Sequence, residues 1–553
     1  MARFNLIDEP WIMVIDENNT NAMVSIKEIF KNASRYKSLA GDMKTQDFAV
    51  FRVLLSILHT VYSRFDFNGN VYENIQLDEN FKPINELDDE DEIDEYKEAL
   101  ICTWQSLWIN KGFTESVENY LEKWHDRFYL FDDKYPFFQV KISDIQGKTN
   151  KSLNETLGKT INRLISESGN KVAIFSPKSN KKKGQLSSSD VARWLLVYQG
   201  YTGLSDKIIF GEEKYKASKG WLFDIGGIML EGNNLFETFM LNLLLVHPVL
   251  DTKMQKPCWE YENLDLITNY LKEKEIDNLS ELYTNWSRAV YIKSNFDESE
   301  DFKLSGVKLP EISHENNFLE CMTLLKYDEK ENIYRPMKHK LYKSLWRNYG
   351  LIISDNNSIG IIKWIYGIKD KIDDIKIRIS AISMQDDGNA TSWLPTDEIY
   401  DKINIEESIL IDKNKYGWII RINEIVEFTK EILDKNYRMF VSDIKEIRNI
   451  QSKEFINTEI EKLYAIIDTP FKKWISNLKN EDNIEEKMNE WKYILKNIVE
   501  KHINTFLENS SIRDYKGIEK NGKVKNIITS YNQFMKILLK KCNIQRKEEI
   551  VNE

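Results

Sequence analysis

The last quarter of the chain repeats one pattern four times. Residues 420–441, 454–478, 484–508 and 524–541 each carry apolar side chains at three- and four-residue spacing, as in Leu463, Ile466, Ile467, Phe471, Trp474, Ile475 and Leu478. A helix with such a stripe must bury it, and four of them joined by polar connectors bury one another as a bundle. Earlier residues mix strand-like alternation, helical stretches and turn signals. The chain therefore reads as α+β, with a large mixed domain over 1–405 and a C-terminal four-helix bundle over 406–553. At 553 residues and 42% hydrophobic content it can fill at least one large core.

The mixed region opens with FNLIDEPWIMVI, Phe4 to Ile15, where Asp8-Glu9-Pro10 separates two strand-length apolar runs. That layout predicts a small hairpin pinning the N-terminus into a sheet, with Trp11 in the core. From Asp42 to Tyr62, Phe48, Phe51, Leu54, Leu55, Leu58 and Val61 fall on one face of a helix; His59 on it has no evident partner and is given no role. Residues 78–95 are acidic and read as a solvated loop, with a further helical pattern from Tyr96 to Trp124. FYLFDDKYPFFQV, Phe128 to Val140, reads as aromatic core around a turn. Lys219 to Leu245 reads as strand, glycine pair, turn and apolar helix. Ile375 to Ile382 alternates like a strand, and Asp387-Gly388 behind it is a hairpin-turn signal.

Gly169 to Ser189 changes composition, from the apolar Val172–Phe175 to a polar run with Lys178, Lys181, Lys182 and Lys183. A loop this long is commonly functional; its lysines could neutralise phosphates and Phe175 could stack on a base. The net charge of −11 argues against a protein coated in nucleic acid, so any such contact is local. Cys102, Cys258, Cys321 and Cys542 lie far apart, which suggests reduced thiols. His314 and His339 lack ligand spacing, no local catalytic motif is intact, and no cofactor or metal is expected. No apolar run nears the ~20 residues that span a bilayer, and the start lacks a signal-peptide layout, so a cytoplasmic protein is expected. A metal-dependent nuclease or hydrolase built from dispersed carboxylates, or a structural scaffold subunit, stays open on residues alone.

Two motifs carry a resemblance. LIDEPWI at the N-terminus and the FYL–PFFQ block resemble the CasA family, the large subunit of the type I-E CRISPR Cascade complex, whose order of elements also ends in a four-helix bundle. The resemblance implies a nonenzymatic antiviral subunit with guide RNA, double-stranded target DNA, other Cascade subunits and a helicase-nuclease as partners, and no membrane. It implies recognition of a protospacer-adjacent motif, followed by R-loop formation. Matching outward from VARWLLVYQ (Val191 to Gln199), the family's glycine loop falls on Gly200 to Asp206, with Thr202, Gly203 and Ser205 as contacts. Its lysine finger falls on Lys308, with Lys303 as fallback, ahead of Glu320-Cys321-Met322-Thr323. Its hairpin wedge falls on Gln385 to Trp393, with Asn389 beside Ala390, and Asp386-Asp387 would repel phosphate there. The guide-RNA and partner loop falls on Lys171, Phe175, Lys178, Lys181, Lys182 and Lys183.

Overall fold

In a computed structural model, described over residues 4–87, 89–161, 182, 184–203, 208–293, 297–315, 318–353, 360–372, 375–389, 391, 393–410, 412, 417–520 and 522–542, helices and short sheets mix as α+β. Two compact units are present. One comprises Met1–Leu341, Ser354–Asp373 and Ile377–Lys402; the other comprises Tyr342–Ile353, Asp374–Lys376 and Ile403–Glu553.

The first unit is built around the Lys44–Tyr62 helix, in which every residue from Thr45 to Tyr62 is buried. The sequence predicts one apolar stripe; the polar face is buried too because it meets partners of its own. The Arg52 guanidinium donates twice to Glu320, both at 2.8 Å, and Arg64, two residues past the end of the helix, donates twice to Glu260, at 2.8 and 2.9 Å. The Ser188–Tyr201 and Leu279–Tyr283 helices pack against it.

At the N-terminus, β1 (Ile12–Asp16) pairs antiparallel with β2 (Asn21–Val24), and β3 (Tyr36–Leu39) lies on the other edge of β1. The expected hairpin is displaced. Its turn is Glu17–Thr20, where the Asp16 carboxylate accepts from the Asn18 and Thr20 amides and the Thr20 hydroxyl. Asp8-Glu9-Pro10 is a separate turn, closed by the Glu9 amide on the Asn5 carbonyl at 2.8 Å. The two motifs of the resemblance meet: Asn5 bridges Tyr129, the Leu6 amide donates to Phe128 at 2.9 Å, and the Leu130 amide donates to Phe4 at 2.8 Å.

The acidic stretch corrects another expectation. Asp89 caps a helix from Glu90 to Asn110, accepting from the Asp91 and Glu92 amides. Glu90, Asp91 and Glu92 therefore occupy a first turn, where the helix dipole favours negative charge. The helical pattern continues as a second helix, Glu115–Lys123, after a break at Lys111, whose φ is 53°.

Three further sheets complete this part: β4 (Glu155–Leu157), β7 (Lys303–Lys308) and β6 (Arg288–Tyr291) in that order; β11 (Pro395–Glu406), β10 (Lys376–Asp386) and β5 (Gly227–Glu231); and the pair β8 (Leu325–Asp328) and β9 (Ile333–Pro336). β5 begins at Gly227, the second glycine of the pair, rather than preceding the pair. A Cβ on Gly226 would stand 2.2 Å from the Met337 carbonyl, so only glycine lets that segment past.

In the second unit the four expected helices are present. The first is Trp418–Lys430, continuing through the π-helical Glu431–Tyr437 into Arg438–Ile447; the others are Phe455–Ser476, Ile484–Glu508 and Ile527–Lys541. Phe471, Trp474 and Trp491 pack ring against ring, and the Trp491 indole donates to Thr429 at 3.0 Å. Trp346 stacks on Phe471 at 4.3 Å and donates to Asp468. Among the described residues no helix is long and apolar enough to cross a membrane.

Removing one partner of a fully buried, hydrogen-bonded ion pair leaves the other charge uncompensated. Arg64→Ala is expected to lower unfolding stability by about 3–5 kcal/mol in urea melts. Lys97→Ala, which removes an exposed pair with Asp94, should change it by less than about 0.5 kcal/mol.

Candidate nucleic-acid interface

The Ser188–Tyr201 helix is started by Ser187, whose hydroxyl accepts from the Asp190 amide, and it ends at Thr202. Its last turn is crossed in backbone contact: at Gly220, where φ is 95°, a Cβ would fall 2.4 Å from the Gly200 carbonyl. The residues just beyond the helix turn inward. Thr202 is buried, and its hydroxyl has no hydrogen-bond partner among the described residues. Gly203 is buried as well, and its carbonyl accepts from the Arg288 guanidinium at 2.6 Å. Ser205 lies outside the described residues.

Arg288, fully buried on β6, also donates to the carbonyls of Ser218 at 2.6 Å and Ser287 at 2.8 Å. Opposite it in the ladder stands Lys308, the last residue of β7. The Lys308 amide donates to Ile208 at 2.9 Å, and its carbonyl accepts from the Tyr215 hydroxyl at 2.5 Å. Arg288 thus places Gly203 and Lys308 in one neighbourhood. Lys303 is at the far end of the six-residue strand, roughly 17 Å away at strand rise, and pairs with Glu155 at 2.8 Å. Of the two lysines, only Lys308 sits with the glycine segment.

Below this neighbourhood lies the Glu320–Thr323 block. The Glu320 carboxylate accepts from Arg52, from the Trp221 indole at 2.7 Å and from the Met322 amide at 2.9 Å. Burial raises this carboxyl, but the Arg52 charge and hydrogen bonds outweigh burial and hold it below its ordinary range. Trp221 stacks on His314, ring centroids 3.9 Å apart. Burial pushes the His314 imidazole down to about 4, so it is neutral at pH 7.

The β10–β11 hairpin closes with the Asp387 amide donating to Leu394 at 3.0 Å, with Gly388 at φ 67°. Asn389 is exposed at its tip. Its Oδ1 accepts from the Thr391 amide at 3.1 Å and hydroxyl at 2.8 Å, so half of its amide shapes the turn. Ala390 lies outside the described residues. The acidic pair is engaged: Asp386 meets Lys338 at 2.9 Å, and Asp387 accepts from the Asn389 and Leu394 amides. Trp393 stands partly exposed at the same tip, with the Lys219 ammonium 4.9 Å from its ring. Since Lys219 follows Ser218, a continuous path joins Gly203, Arg288, Ser218, Lys219 and Trp393.

Sequence reasoning missed Arg288, Lys219 and Trp393. Trp393 lies inside the segment expected as the wedge, and an aromatic beside a hairpin turn is the signal the sequence offers for it. Arg288 carried none, because its role is to hold carbonyls distant in sequence. Of the expected guide-RNA loop, Lys171, Phe175, Lys178, Lys181 and Lys183 lie outside the described residues, and Lys182 is exposed. The segment's two ends meet: the Gly158 amide donates to Phe302 at 2.7 Å and the Phe302 amide to Gly184 at 2.8 Å. Among the described residues no group of three or more His, Cys, Asp or Glu is placed to hold a metal.

A model of the family described as CRISPR-associated protein Cse1 matches residues 5–501. A curated CRISPR-associated CasA/Cse1 protein from Thermus thermophilus is 24% identical over 361 residues, covering 64% of this chain and 61% of the relative, less than two thirds of its length. Among solved structures, Thermobifida fusca Cse1 matches with a TM-score of 0.75 at 20% identity, over 98% of both chains. Acidimicrobium ferrooxidans Cse1 matches at 0.71 and 17% identity, over 98% of this chain and 99% of that one. A chain of a CRISPR RNA-guided surveillance complex matches at 0.59 and 12%, over 97% and 100%. These likenesses establish the shared fold.

His314 gives the site a pH signature. Its folded pKa is about 4 against an ordinary 6.5, so between those values the unfolded chain binds the extra proton and stability falls as pH falls. The slope from this group should approach ~1.4 kcal/mol per pH unit within that window. Thermal melts between pH 7 and 4 should show a shallower slope for His314→Gln than for the parent; equal slopes would remove the assignment.

Proposed function

Because the chain belongs to the CRISPR-associated Cse1 family, we propose that it is the nonenzymatic large subunit of a type I-E CRISPR RNA-guided surveillance complex, which recognises a protospacer-adjacent motif in duplex DNA. The observation that carries this reading is the single connected neighbourhood of Gly203, Lys308 and the 387–394 hairpin, joined through Arg288, Ser218 and Lys219. Thr202 and Gly203, followed in sequence by Ser205, are the segment assigned to the duplex, and Lys308 supplies a donor. That combination suits the minor groove, whose pattern is degenerate and read by shape and a few donors.

The hairpin tip is the wedge. Unstacking a base step costs a few kcal/mol, and an aromatic side chain with an amide beside it offsets part of that. Trp393 stacks and Asn389 orders the turn, so guide pairing begins at the opened step and an R-loop follows. The segment closed at Gly158 and Gly184, with Lys171, Phe175, Lys178, Lys181, Lys182 and Lys183, contacts guide RNA and neighbouring subunits. The assembled surface recruits the helicase-nuclease in the cytoplasm, as antiviral defence.

The test is co-purification with a guide RNA and partner subunits, followed by a binding screen over randomised flanking bases. One flanking motif should be enriched, and Lys308→Ala in the assembled complex should weaken binding of the motif-bearing duplex about tenfold. A complex that selects no motif, or a Lys308→Ala complex that binds like the parent, counts against the reading.

A further inference from the structure

The Lys44–Tyr62 helix is not capped by its own neighbour. Met43, in the N-cap position, makes no side-chain hydrogen bond to the first turn. That place is taken by Glu398 on β11, 353 residues beyond Thr45 in the chain. One carboxylate oxygen accepts from the Lys44 amide at 3.1 Å, and the other accepts from the Thr45 amide at 2.9 Å and the Thr45 hydroxyl at 3.0 Å. A carboxylate suits this position, because the first-turn amides have no partner within the helix and the helix dipole is positive there. Engaging both oxygens also removes the pivot that a single hydrogen bond leaves, so the orientation of the carboxylate is fixed along with its position.

The strand that carries Glu398 is the one returning from the 387–394 hairpin. β10 is fixed by its ladder with β5, from Arg378 opposite Glu231 to Ile382 opposite Gly227, and the Ser383 hydroxyl donates to the Ile225 carbonyl at 3.2 Å. β11 lies beyond β10 as the outer strand of that sheet. Glu398, about 13 Å along it from Leu394, ties this outer strand to a helix whose residues are buried from Thr45 to Tyr62. Tyr400 follows on the same face of the strand, its ring 6.0 Å from the Lys44 ammonium, which Asp47 holds at 2.7 Å. Arg52 stands on the same helix, about 10 Å from Thr45. It begins the run of contacts through Glu320, Trp221, Ser218 and Arg288 to Gly203. One buried helix is therefore the common reference for the Gly203 segment and for the hairpin.

We propose that Glu398 is a positioning residue for the opening of duplex DNA: by capping the Lys44–Tyr62 helix it holds the outer strand of the hairpin, and with it the tip, in fixed register with the Gly203 segment. The role in opening rests on the recognition reading; the tie between hairpin and helix does not. Glu398 touches no nucleic acid in this account and acts through the strand it holds. Losing it leaves β10 on its ladder and frees β11 to shift, so the Gly203 segment keeps its place while the tip loses its own. Reading of the motif and opening of the first pair are thereby separable, because the first depends on the contacts that begin at Arg52 and the second on the cap made by Glu398.

The experiment uses the complex assembled with guide RNA and partner subunits, and a motif-bearing duplex with a fluorescent base analogue at the first pair beside the motif. Fluorescence reports opening, and affinity for the motif alone is read on a duplex that the guide does not match. Glu398→Ala should slow opening about fivefold, the population effect of losing one helix cap, and leave motif affinity within about twofold. Glu398→Gln keeps one acceptor oxygen and should recover most of the rate. Unchanged opening in Glu398→Ala, or opening and motif affinity lost in equal proportion, overturns the role. A parent complex that selects no motif removes the recognition reading by itself, and the tie is then judged in the full chain by hydrogen exchange. Faster exchange in Glu398→Ala at both the Lys44 and Thr45 amides and the 387–394 hairpin supports it; faster exchange confined to the helix start overturns it.

Discussion

The buried Arg52–Glu320 pair is the constraint on which the neighbourhood of Gly203, Lys308 and Trp393 depends. Both side chains are almost fully removed from water, and the two parallel hydrogen bonds at 2.8 Å admit one relative orientation. Apolar residues of the same volume would fill the space without choosing a register. The pair does choose, and the consequences run outward. Glu320 also takes the Trp221 indole, which sets the segment crossing the end of the Ser188–Tyr201 helix. That segment offers the Ser218 carbonyl to Arg288, and Arg288 reaches Gly203. A charge buried on one helix is thus linked through Glu320, Trp221, Ser218 and Arg288 to Gly203.

This explains what sequence could and could not disclose. The Lys44–Tyr62 helix, the four long C-terminal helices and the strand ending at Asp386 are legible because their signal is periodicity, a property of neighbours in the chain. The buried polar face of that first helix is not. Arg52 on the helix and Arg64 just beyond its end find their carboxylates 268 and 196 residues away, and a one-sided apolar stripe hides the need for them. The displaced N-terminal turn has a similar origin. Asp8-Glu9-Pro10 and Glu17–Thr20 are both competent turns by composition, and the choice between them is made by pairing with β3 and with Tyr129. Tyr342–Ile353 belongs with the helices of the second unit through Trp346 and Arg347, which no local pattern announces.

The glycines teach the same distinction at the site. A glycine near a DNA-reading loop invites the idea that its small size admits a ligand. Here the sterically obligatory glycines are Gly220, against the Gly200 carbonyl, and Gly226, against Met337. Both serve packing within the protein. Gly203 contributes a carbonyl to Arg288.

Charge ties these points to the acidic balance of the whole. Around the neighbourhood, cations are repeatedly matched: Lys219 with Asp224 at 2.6 Å, Lys303 with Glu155, Lys338 with Asp386. Each matched lysine is held in place and has its field largely cancelled at a distance beyond the Debye length of about 8 Å. Such a surface releases few counterions on meeting DNA, so its intrinsic affinity for arbitrary duplex is small. If the proposed function holds, weak nonspecific attraction is an advantage, because the discrimination then comes from geometry at a few donors. On the proposed function the remaining affinity comes from pairing between a guide RNA and the opened strand. On that reading the matched lysines leave selection to geometry in the protein, and the hold to the nucleic acid.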